Sequence, residues 1–275
     1  MLLKRFVFHL VLLSLVAAFL CKRVGLVLWG RFVPVAPAAH SPAKEGSVYD
    51  TPVPDISTLA PTNAWRLMWE RVPRGSCVLD VGCATGYLGS WLKTTRHCAV
   101  DGVDAVAEDL EIAKHRLNRV YLRDLDKPDW AHGLEQYDVI LMMDVLEHLR
   151  MPQRTLQIAT TLLCPQGCLI INVPNVANWR VRFELLRGRW EYQETGILDR
   201  THVYFFTRRT LETMLRENNF EIIALYPTIP DYSLMNFDFG RTRAQRYLFH
   251  GLLDAFGGLL ARQFLVIVRP TRMNA

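Results

Sequence analysis

The sequence predicts an α/β fold with a mostly parallel sheet, and three observations support this prediction. Val78–Leu88 joins apolar residues, a small-residue loop and a helical pattern, which is the order of strand, tight turn and helix. From Ser76 onwards, strand and helix patterns alternate. Residues 137–143 are almost entirely apolar, as expected of a strand in the centre of a sheet.

Composition narrows the classes of function. The chain has 275 residues, of which 50% are hydrophobic, and its formal net charge is +5. A net charge this small does not indicate the basic surface that nucleic-acid-binding proteins carry, so we expect no nucleic-acid partner. The six cysteines lack the paired spacing of metal ligands, so we expect free thiols and no metal site.

An apolar run lies near the N-terminus. It occupies residues 6–21 and is flanked on both sides by a pair of basic residues. A membrane-spanning helix needs about 17–25 apolar residues, so the run is short. The helix can extend beyond it only if the side chains of Lys22 and Arg23 reach the membrane surface. A signal anchor at residues 1–31, a cleaved secretory signal and a buried helix are the alternatives. We favour the anchor because Pro-rich sequence separates it from the rest of the chain.

The charges around the run predict the orientation of the anchor. The nearest basic residues are Lys4 and Arg5 before the run and Lys22, Arg23 and Arg31 after it. Since basic residues favour the cytoplasmic face, we expect a single-pass membrane protein whose larger domain faces the cytoplasm. Residues 32–61 are rich in Pro, Ala and Ser, which is typical of a linker. The domain itself is then expected at residues 62–270.

The turn after the first strand separates two classes of cofactor. The dinucleotide fingerprint requires glycine at its first, third and sixth positions, which here hold Gly82, Ala84 and Tyr87. The pattern Asp80-x-Gly82-x-Ala84-x-Gly86 instead resembles the first motif of class I S-adenosylmethionine-dependent methyltransferases, with alanine at the usual middle glycine. In that family the acid lies near the methionine end of the cofactor. The expected cofactor-binding residues of this turn are Asp80, Gly82, Cys83, Ala84 and Gly86.

Acids after the next two strands extend this site. Asp104 ends the second predicted strand about 20 residues past the turn, where a carboxylate can accept both ribose hydroxyls, with an ordinary solvated carboxylate as the alternative. The third strand, residues 120–122, precedes Asp124 and Asp126. In the enzymes that the sequence resembles, an acid here contacts the adenine amino group. Asp124 is our candidate, and Asp126 is the alternative.

A second motif follows the apolar strand at residues 137–143. Its sequence, Asp144-Val145-Leu146-Glu147-His148-Leu149, resembles the fourth-strand motif of small-molecule methyltransferases, including O-methyltransferases of the ubiquinone pathway. The resemblance spans Thr62 to Pro270. It implies a Rossmann-like, doubly wound sheet of seven strands whose last strand, near residues 263–268, is antiparallel. It also implies S-adenosylmethionine as cofactor, Asp144 as one of its contacts, and a small-molecule acceptor.

The remaining elements follow from local patterns. The helices are predicted at residues 64–72, 105–116, 153–163 and 208–218, and further strands at residues 168–175 and 220–225. Thr62 or Asn63 can cap the first helix. A turn at residues 165–167 is predicted to separate the third of these helices from the strand after it. A later helix within residues 241–256 has a predicted apolar face of Leu248, Leu252 and Phe256.

Two histidines are candidates for the general base. Asp199-Arg200-Thr201-His202 resembles a segment found after the fifth strand in many bacterial relatives. An imidazole titrates near neutral pH, so we select His202 as the base and expect Asp199 to orient it. His148 is the competing candidate, with a role in shaping the pocket as its alternative. A purely structural role is open for both.

Residues 176–207 should lie at the carboxyl edge of the sheet, where ligands of such folds bind. This segment interleaves arginines with aromatic residues. The residues are Trp179, Arg180, Arg182, Phe183, Arg187, Arg189 and Trp190. They suit an acidic or phosphorylated acceptor or a lipid headgroup surface, and a solvated lid helix is the alternative.

These patterns together predict a membrane-tethered methyltransferase that methylates an oxygen of a small-molecule or lipid-linked acceptor. Two other classes are considered. A catalytically inactive methyltransferase fold could serve as a scaffold at the membrane, and the intact acids and glycines argue against it. An oxidoreductase is the other class, and the failed dinucleotide spacing argues against that.

Overall fold

The computed structural model describes residues 56–230, 233–234, 237–238 and 242–271. The predicted membrane segment, residues 1–31, and most of the predicted linker lie outside the described residues. Within the described ranges, no helix is both long and apolar enough to cross a membrane. The anchor and the domain boundaries before residue 56 therefore stay predictions.

A mixed β-sheet is the centre of the domain. Its strands are β1 (Cys77–Val81), β2 (Ala99–Asp104), β3 (Arg119–Leu122), β4 (Tyr137–Met143), β5 (Leu163–Pro174), β6 (Phe220–Thr228) and β9 (Gln263–Pro270), while β7 (Ser233–Leu234) and β8 (Phe237–Asp238) form a separate pair. The seven strands lie in the order β3-β2-β1-β4-β5-β9-β6. The neighbouring strands in the series β3, β2, β1, β4 and β5 pair in parallel. Strand β9 pairs antiparallel with both of its neighbours, β5 and β6. The predicted seven-stranded sheet with an antiparallel last strand is confirmed.

The helices connect these strands. They are α1 (Ala64–Arg71), α2 (Tyr87–Arg96), α3 (Ala107–Ala113), α4 (Pro152–Thr161), α5 (Trp179–Leu186), α6 (Arg208–Glu217) and α7 (Arg243–Leu260), with short 3₁₀ turns at Ile56–Thr58 and Leu146–His148. The direction of strand order reverses between β1 and β4. A crevice forms outside the carboxyl ends of strands at such a point, and it is where ligands of open α/β sheets bind.

Alternation along the strands divides the core into two layers. In β4, Ile140 and Met142 are buried in one apolar cluster, while Val139 and Leu141 are buried in the other. This follows from the two-residue period of a strand, which sends successive side chains to opposite faces. Both faces of the sheet are therefore covered, which explains why β4 has no polar face.

Local signals explain where the first helix begins. The side-chain oxygen of Asn63 accepts hydrogen bonds from the N–H groups of Trp65 and Arg66, as expected of an N-cap. Thr62, the alternative cap in the sequence prediction, instead donates its hydroxyl to the carbonyl of Ile229 at 3.2 Å. The start of α1 is thereby tied to the end of β6.

Three local predictions are corrected. Helix α3 ends at Ala113 rather than at residue 116. Strand β5 begins at Leu163, and an irregularity in its pairing with β4 accommodates the turn predicted at residues 165–167. The buried face of α7 contains Phe249 and Leu253, whereas Leu248 is 54% exposed, so the predicted face was displaced by one residue.

Candidate functional site

The turn between β1 and α2 has a left-handed backbone that is attached to β2. Gly82, Ala84 and Gly86 have φ angles of 74°, 46° and 75°. Glycine adopts this conformation at little cost, whereas Ala84 does so with some strain. The N–H groups of Gly82 and Cys83 donate to the carbonyl oxygen of Val103 at 2.7 and 3.1 Å. The turn is therefore held against the carboxyl end of its neighbouring strand.

Asp104 closes this turn from the other side. Its Oδ2 accepts the N–H of Ala84 at 2.8 Å, and its Oδ1 accepts the N–H of Val106 at 3.0 Å. Each carboxylate oxygen has a second acceptor direction, so two ribose hydroxyls can still be bound. The structure places Asp104 beside the turn, as the sequence predicted, and adds a role in holding the turn that the sequence did not reveal.

Asp80 lies beneath the start of α2. Its side chain is buried, and its Oδ2 has no hydrogen-bond partner among the described residues. Burial, with a smaller contribution from the Asp104 carboxylate, raises the pKa of Asp80 to about 7. A Cβ built on Gly89 in α2 would lie 3.5 Å from this Oδ2. The acid is thus next to the cofactor turn, while its predicted contact with the cofactor stays a prediction.

Cys83 contributes to the turn through its backbone. Its side chain is buried, and a Cβ on Gly102 would lie 2.6 Å from its Sγ. Burial raises the pKa of this thiol well above its usual range, so the side chain acts in packing. Leu117 lies on the same side of the sheet, where its side chain leaves no room for a Cβ on Gly89 or Gly102.

Arg116 supports the turn and was missed in the sequence. Its Nη1 donates to both the carbonyl oxygen and the Oγ1 of Thr85 at 3.0 Å. Thr85 is completely buried in the middle of the turn. No motif marks Arg116, because it follows α3 and reaches the turn only in the folded chain.

The two acids after β3 have different partners. Asp126 Oδ1 accepts the N–H groups of Arg150 and Met151 at 3.0 and 3.4 Å, which ties it to the start of α4. Asp124 is exposed and accepts only the N–H of Asp126 among the bonds of its side chain in the described structure. Asp124 is therefore the freer of the two acids, and its predicted contact with the adenine amino group stays a prediction.

Asp144 ends β4 in a constrained conformation. Its φ is 59°, and its Oδ1 accepts hydrogen bonds from Asn172 Nδ2 at 2.8 Å and Gln263 Nε2 at 2.7 Å. Burial raises its pKa to about 7 despite these two donors. Gln263 begins the antiparallel strand β9, so the sequence gave no sign that it lies beside the Asp144 motif.

The two candidate bases lie together. The ring centroids of His148 and His202 are 4.8 Å apart in an edge-to-face arrangement. His202 is buried, and His148 is partly buried. Burial lowers the pKa of both imidazoles, and the nearby His202 ring lowers that of His148 further. The sequence treated these residues as alternatives, whereas the structure makes them neighbours.

Backbone hydrogen bonds bring the two histidine segments together. The N–H groups of Val203 and Tyr204 both donate to the carbonyl oxygen of Glu147 at 2.9 Å. The segment that carries His202 is thereby placed against the 3₁₀ turn that carries His148. Because this contact joins residues more than 50 positions apart, the local sequence pattern could not predict it.

The predicted role of Asp199 is wrong. His202 Nδ1 contacts the carbonyl oxygen of Ile197 at 3.2 Å rather than Asp199. Asp199 Oδ1 instead accepts the hydroxyl of Thr201 at 2.7 Å, and this hydroxyl contacts His148 Nδ1 at 3.1 Å. Asp199 therefore contacts His148 through Thr201, whereas it acts on His202 only through its charge, which opposes the lowering of the pKa of that imidazole by burial.

Glu147 completes a group of possible metal ligands. One donor atom from each of Glu147, His148 and His202 lies within 4.8 Å of the others. Glu147 is buried, and its pKa is raised well above the usual range by burial and by the Asp144 carboxylate. The sequence predicted no metal site, since these residues do not have a recognisable ligand spacing.

Buried polar atoms without partners mark the carboxyl edge of the sheet. Among the described residues, these side-chain atoms are Asp80 Oδ2, Trp130 Nε1, Glu147 Oε2, Asn172 Oδ1 and Thr228 Oγ1. All except the tryptophan belong to residues near the carboxyl ends of β1, β4, β5 or β6. Buried polar groups are normally hydrogen-bonded, so this concentration indicates a surface that binds a polar ligand.

The arginine-rich segment is largely occupied by its own contacts. Arg182 Nε donates to the carbonyl oxygen of Ala177 at 2.7 Å, and Arg187 forms an ion pair with Glu184 at 3.3 Å. Arg180 lies over Trp179, 5.5 Å from its ring centroid. An acidic acceptor therefore stays a prediction.

Aromatic side chains of the same segment lie near the histidines. The ring centroids of Phe205 and His202 are 6.3 Å apart, and those of Trp190 and Phe205 are 5.5 Å apart.

Fold and site together define an α/β protein with a cofactor cradle at the switch point of its sheet. A family model described as a methyltransferase domain matches residues 60–225, so the chain belongs to this methyltransferase family. S-adenosylmethionine is the cofactor of this class, and the cradle residues fit it: a glycine turn free of side chains, and an acid at the end of β2. The predicted family and cofactor are confirmed.

Individual relatives agree with this assignment. The ubiquinone biosynthesis O-methyltransferase of Haemophilus ducreyi is 33% identical over 110 residues, which cover 37% of this chain and 46% of that protein. The chain thus spans about half the length of such curated relatives.

Solved structures share the fold at low identity. A SAM dependent methyltransferase from Archaeoglobus fulgidus has a TM-score of 0.51 at 16% identity, over 74% of this chain and 88% of that chain. An S-adenosylmethionine dependent methyltransferase from Mesorhizobium loti has a TM-score of 0.51 at 18% identity, over 78% and 100% of the two chains.

Proposed function

We propose that the protein transfers a methyl group from S-adenosylmethionine to a hydroxyl oxygen of a small-molecule acceptor. The observation that carries this proposal is the glycine turn joined to Asp104 at the switch point of a methyltransferase sheet. The choice of oxygen is supported by similarity to ubiquinone biosynthesis O-methyltransferases. It is also supported by two imidazoles that can take up the hydroxyl proton.

The reaction is an in-line displacement. The acceptor oxygen forms a bond to the methyl carbon while the bond from that carbon to the sulfonium sulfur breaks, which releases neutral S-adenosylhomocysteine. The hydroxyl proton passes to His202 or His148, which lie beside the end of β4. Because the methyl group is already activated, the main task of the protein is to align the two reactants.

The surroundings of the histidines suit an apolar or aromatic acceptor. Trp190 and Phe205 extend from His202 towards Tyr192, whose ring centroid is 6.5 Å from that of Trp190. Trp190 and Tyr192 are both exposed, which leaves their rings available for contact with a ligand. We also propose from the sequence that residues 1–31 anchor the protein in a membrane, with the larger domain on the cytoplasmic side. Such an anchor is compatible with a lipid-linked acceptor.

Calorimetry with S-adenosylhomocysteine and the full-length chain is the first test. We expect saturable binding, and absence of binding at millimolar ligand would contradict the enzyme assignment. The second test supplies methyl-labelled S-adenosylmethionine and a cell extract separated into lipid and aqueous fractions. Label transferred to a small molecule supports the proposal. Ligand binding without any transfer would favour the alternative, an inactive methyltransferase fold that serves as a scaffold at the membrane.

A further inference from the structure

We propose that Gln263, together with Asn172, is a positioning residue for the cofactor. The two amides hold the Asp144 carboxylate so that its second oxygen can bind the ammonium group at the methionine end of S-adenosylmethionine. The inference deepens the proposed function, because it rests on the same cofactor and extends the site to strand β9. It concerns binding alone, so it can be measured without methyl transfer.

The Asp144 carboxylate has one occupied oxygen and one that is left for a ligand. Its Oδ1 accepts Asn172 Nδ2 at 2.8 Å and Gln263 Nε2 at 2.7 Å. In the described part of the chain, its Oδ2 accepts no hydrogen bond, although the residue is only partly buried. Both oxygens of an ionised carboxylate are acceptors, so Oδ2 can bind a donor from outside the chain.

The order of strands places Asp144 where the methionine end of the cofactor is expected. Asp124 follows β3 and Asp104 ends β2, and these acids are our candidates for the adenine and the ribose. The sheet continues through β1 to β4, which Asp144 follows directly. The next residue, Val145, is so close to the turn that a Cβ on Gly82 would lie 2.6 Å from its Cγ2. A carboxylate oxygen at this place suits the ammonium group of the cofactor.

Neutral amides are suitable partners for a carboxylate that must bind a cation. Their N–H groups favour the ionised form of Asp144 without cancelling its charge. A lysine or arginine would instead compete with the ammonium group, and none contacts Asp144 among the described residues. Asn172 also accepts the backbone N–H of Asp144 through its carbonyl oxygen at 3.0 Å. The acid is therefore held through both its backbone and its side chain.

The backbone of Gln263 is held from both sides. This residue begins β9, where it pairs with Pro174 of β5 and Thr228 of β6. The preceding residue, Arg262, donates its N–H to the carbonyl oxygen of Thr228 at 2.9 Å and accepts the N–H of Asn175 at 2.8 Å. The glutamine side chain thus extends from a rigid element, as precise positioning of a ligand group requires.

Calorimetry of the full-length chain with three ligands tests the inference. S-adenosylhomocysteine carries both the ammonium and the carboxylate, S-adenosyl-3-thiopropylamine carries only the ammonium, and 5′-methylthioadenosine carries neither. Gln263→Leu should lower the affinity for the first two at least about tenfold, and that for the third by less than about twofold. The matched control is Gln157→Leu, which removes a glutamine that donates to Asn218 Oδ1 at 3.0 Å. It should leave all three affinities unchanged.

A double-mutant cycle distinguishes positioning from a purely structural role. Asp144→Asn keeps the shape of the side chain and an oxygen that accepts from Gln263, but it removes the charge that attracts the ammonium group. It should itself lower the affinity for S-adenosylhomocysteine. In this background Gln263→Leu should have little further effect, because its action passes through the charge of Asp144. An unchanged affinity for 5′-methylthioadenosine verifies that each variant is folded.

Four outcomes would overturn the inference while the proposed function stands. They are an unchanged affinity of Gln263→Leu for S-adenosylhomocysteine, an equal loss for all three ligands, a loss confined to S-adenosylhomocysteine, and full additivity with Asp144→Asn. The second would indicate general damage to the site, and the third would place the contact at the carboxylate of the ligand. Absence of S-adenosylhomocysteine binding to the wild-type chain would contradict the proposed function as well.

Discussion

Replacement of Asp80 by asparagine should stabilise the unliganded protein at neutral and alkaline pH. The carboxyl is buried beneath α2 with one oxygen unpartnered, and burial raises its pKa from 3.8 to about 7. Between these two values the folded chain holds a proton that the unfolded chain has released. Stability is therefore greatest below pH 4 with respect to this group and falls as the pH rises towards 7. Asparagine resembles the protonated acid and does not titrate.

The size of the effect follows from the same shift. Each pH unit within this window changes the free energy of unfolding by about 1.4 kcal/mol, so about 4 kcal/mol is lost across the whole window. Urea unfolding of wild type and Asp80→Asn at about pH 5 and about pH 8 measures the difference. Asp129→Asn, at an exposed position, controls for the loss of one charge. The reasoning is refuted if wild type and Asp80→Asn lose equal stability between the two pH values.

Three further predictions concern the turn and the anchor. Gly82→Ala places a Cβ 2.6 Å from Val145 Cγ2 at a φ of 74°, and should destabilise the protein by about 2–4 kcal/mol in urea unfolding. Gly188→Ala, with a φ of 70° and no atom near its Cβ, should cost only the backbone strain; equal losses would exclude the clash. Asp104→Ala removes the acceptor for the turn and should weaken S-adenosylhomocysteine binding at least about tenfold by calorimetry, so unchanged affinity would contradict its role. Removal of residues 1–61 should release the protein from the membrane fraction of cells, and identical sedimentation of both forms would reject the anchor.

The cofactor half of the site could be predicted because its signals are local. The turn from Gly82 to Gly86 joins consecutive elements, and the apolar pattern of β4 leads directly to Asp144. A parallel sheet then brings the ends of β1, β2 and β4 to one edge. The order of elements was therefore sufficient to place Asp104 beside the turn.

The acceptor half depends on contacts between distant segments. His148 and His202 meet because the carbonyl of Glu147 accepts two hydrogen bonds from residues after His202. Gln263 reaches Asp144 because β9 inserts antiparallel between β5 and β6. Neither contact has a periodic or spacing signal, since each depends on where a long connection returns to the sheet. The assignment of Asp199 to His202 failed for a local reason, because Asp199 accepts the hydroxyl of Thr201 and His202 Nδ1 contacts the carbonyl of Ile197.

The packing of Leu117 affects how substitutions at the turn should be interpreted. A Cβ on Gly89 or on Gly102 would lie 2.5 Å from a methyl carbon of this leucine, and one on Gly86 would lie 3.0 Å from its Cγ. One side chain thus restricts the residue size at three positions in separate parts of the chain. Among homologues, glycine at positions 89 and 102 would covary with the volume of residue 117. An invariant glycine at position 89 or 102 would then indicate close packing against Leu117 rather than contact with the cofactor.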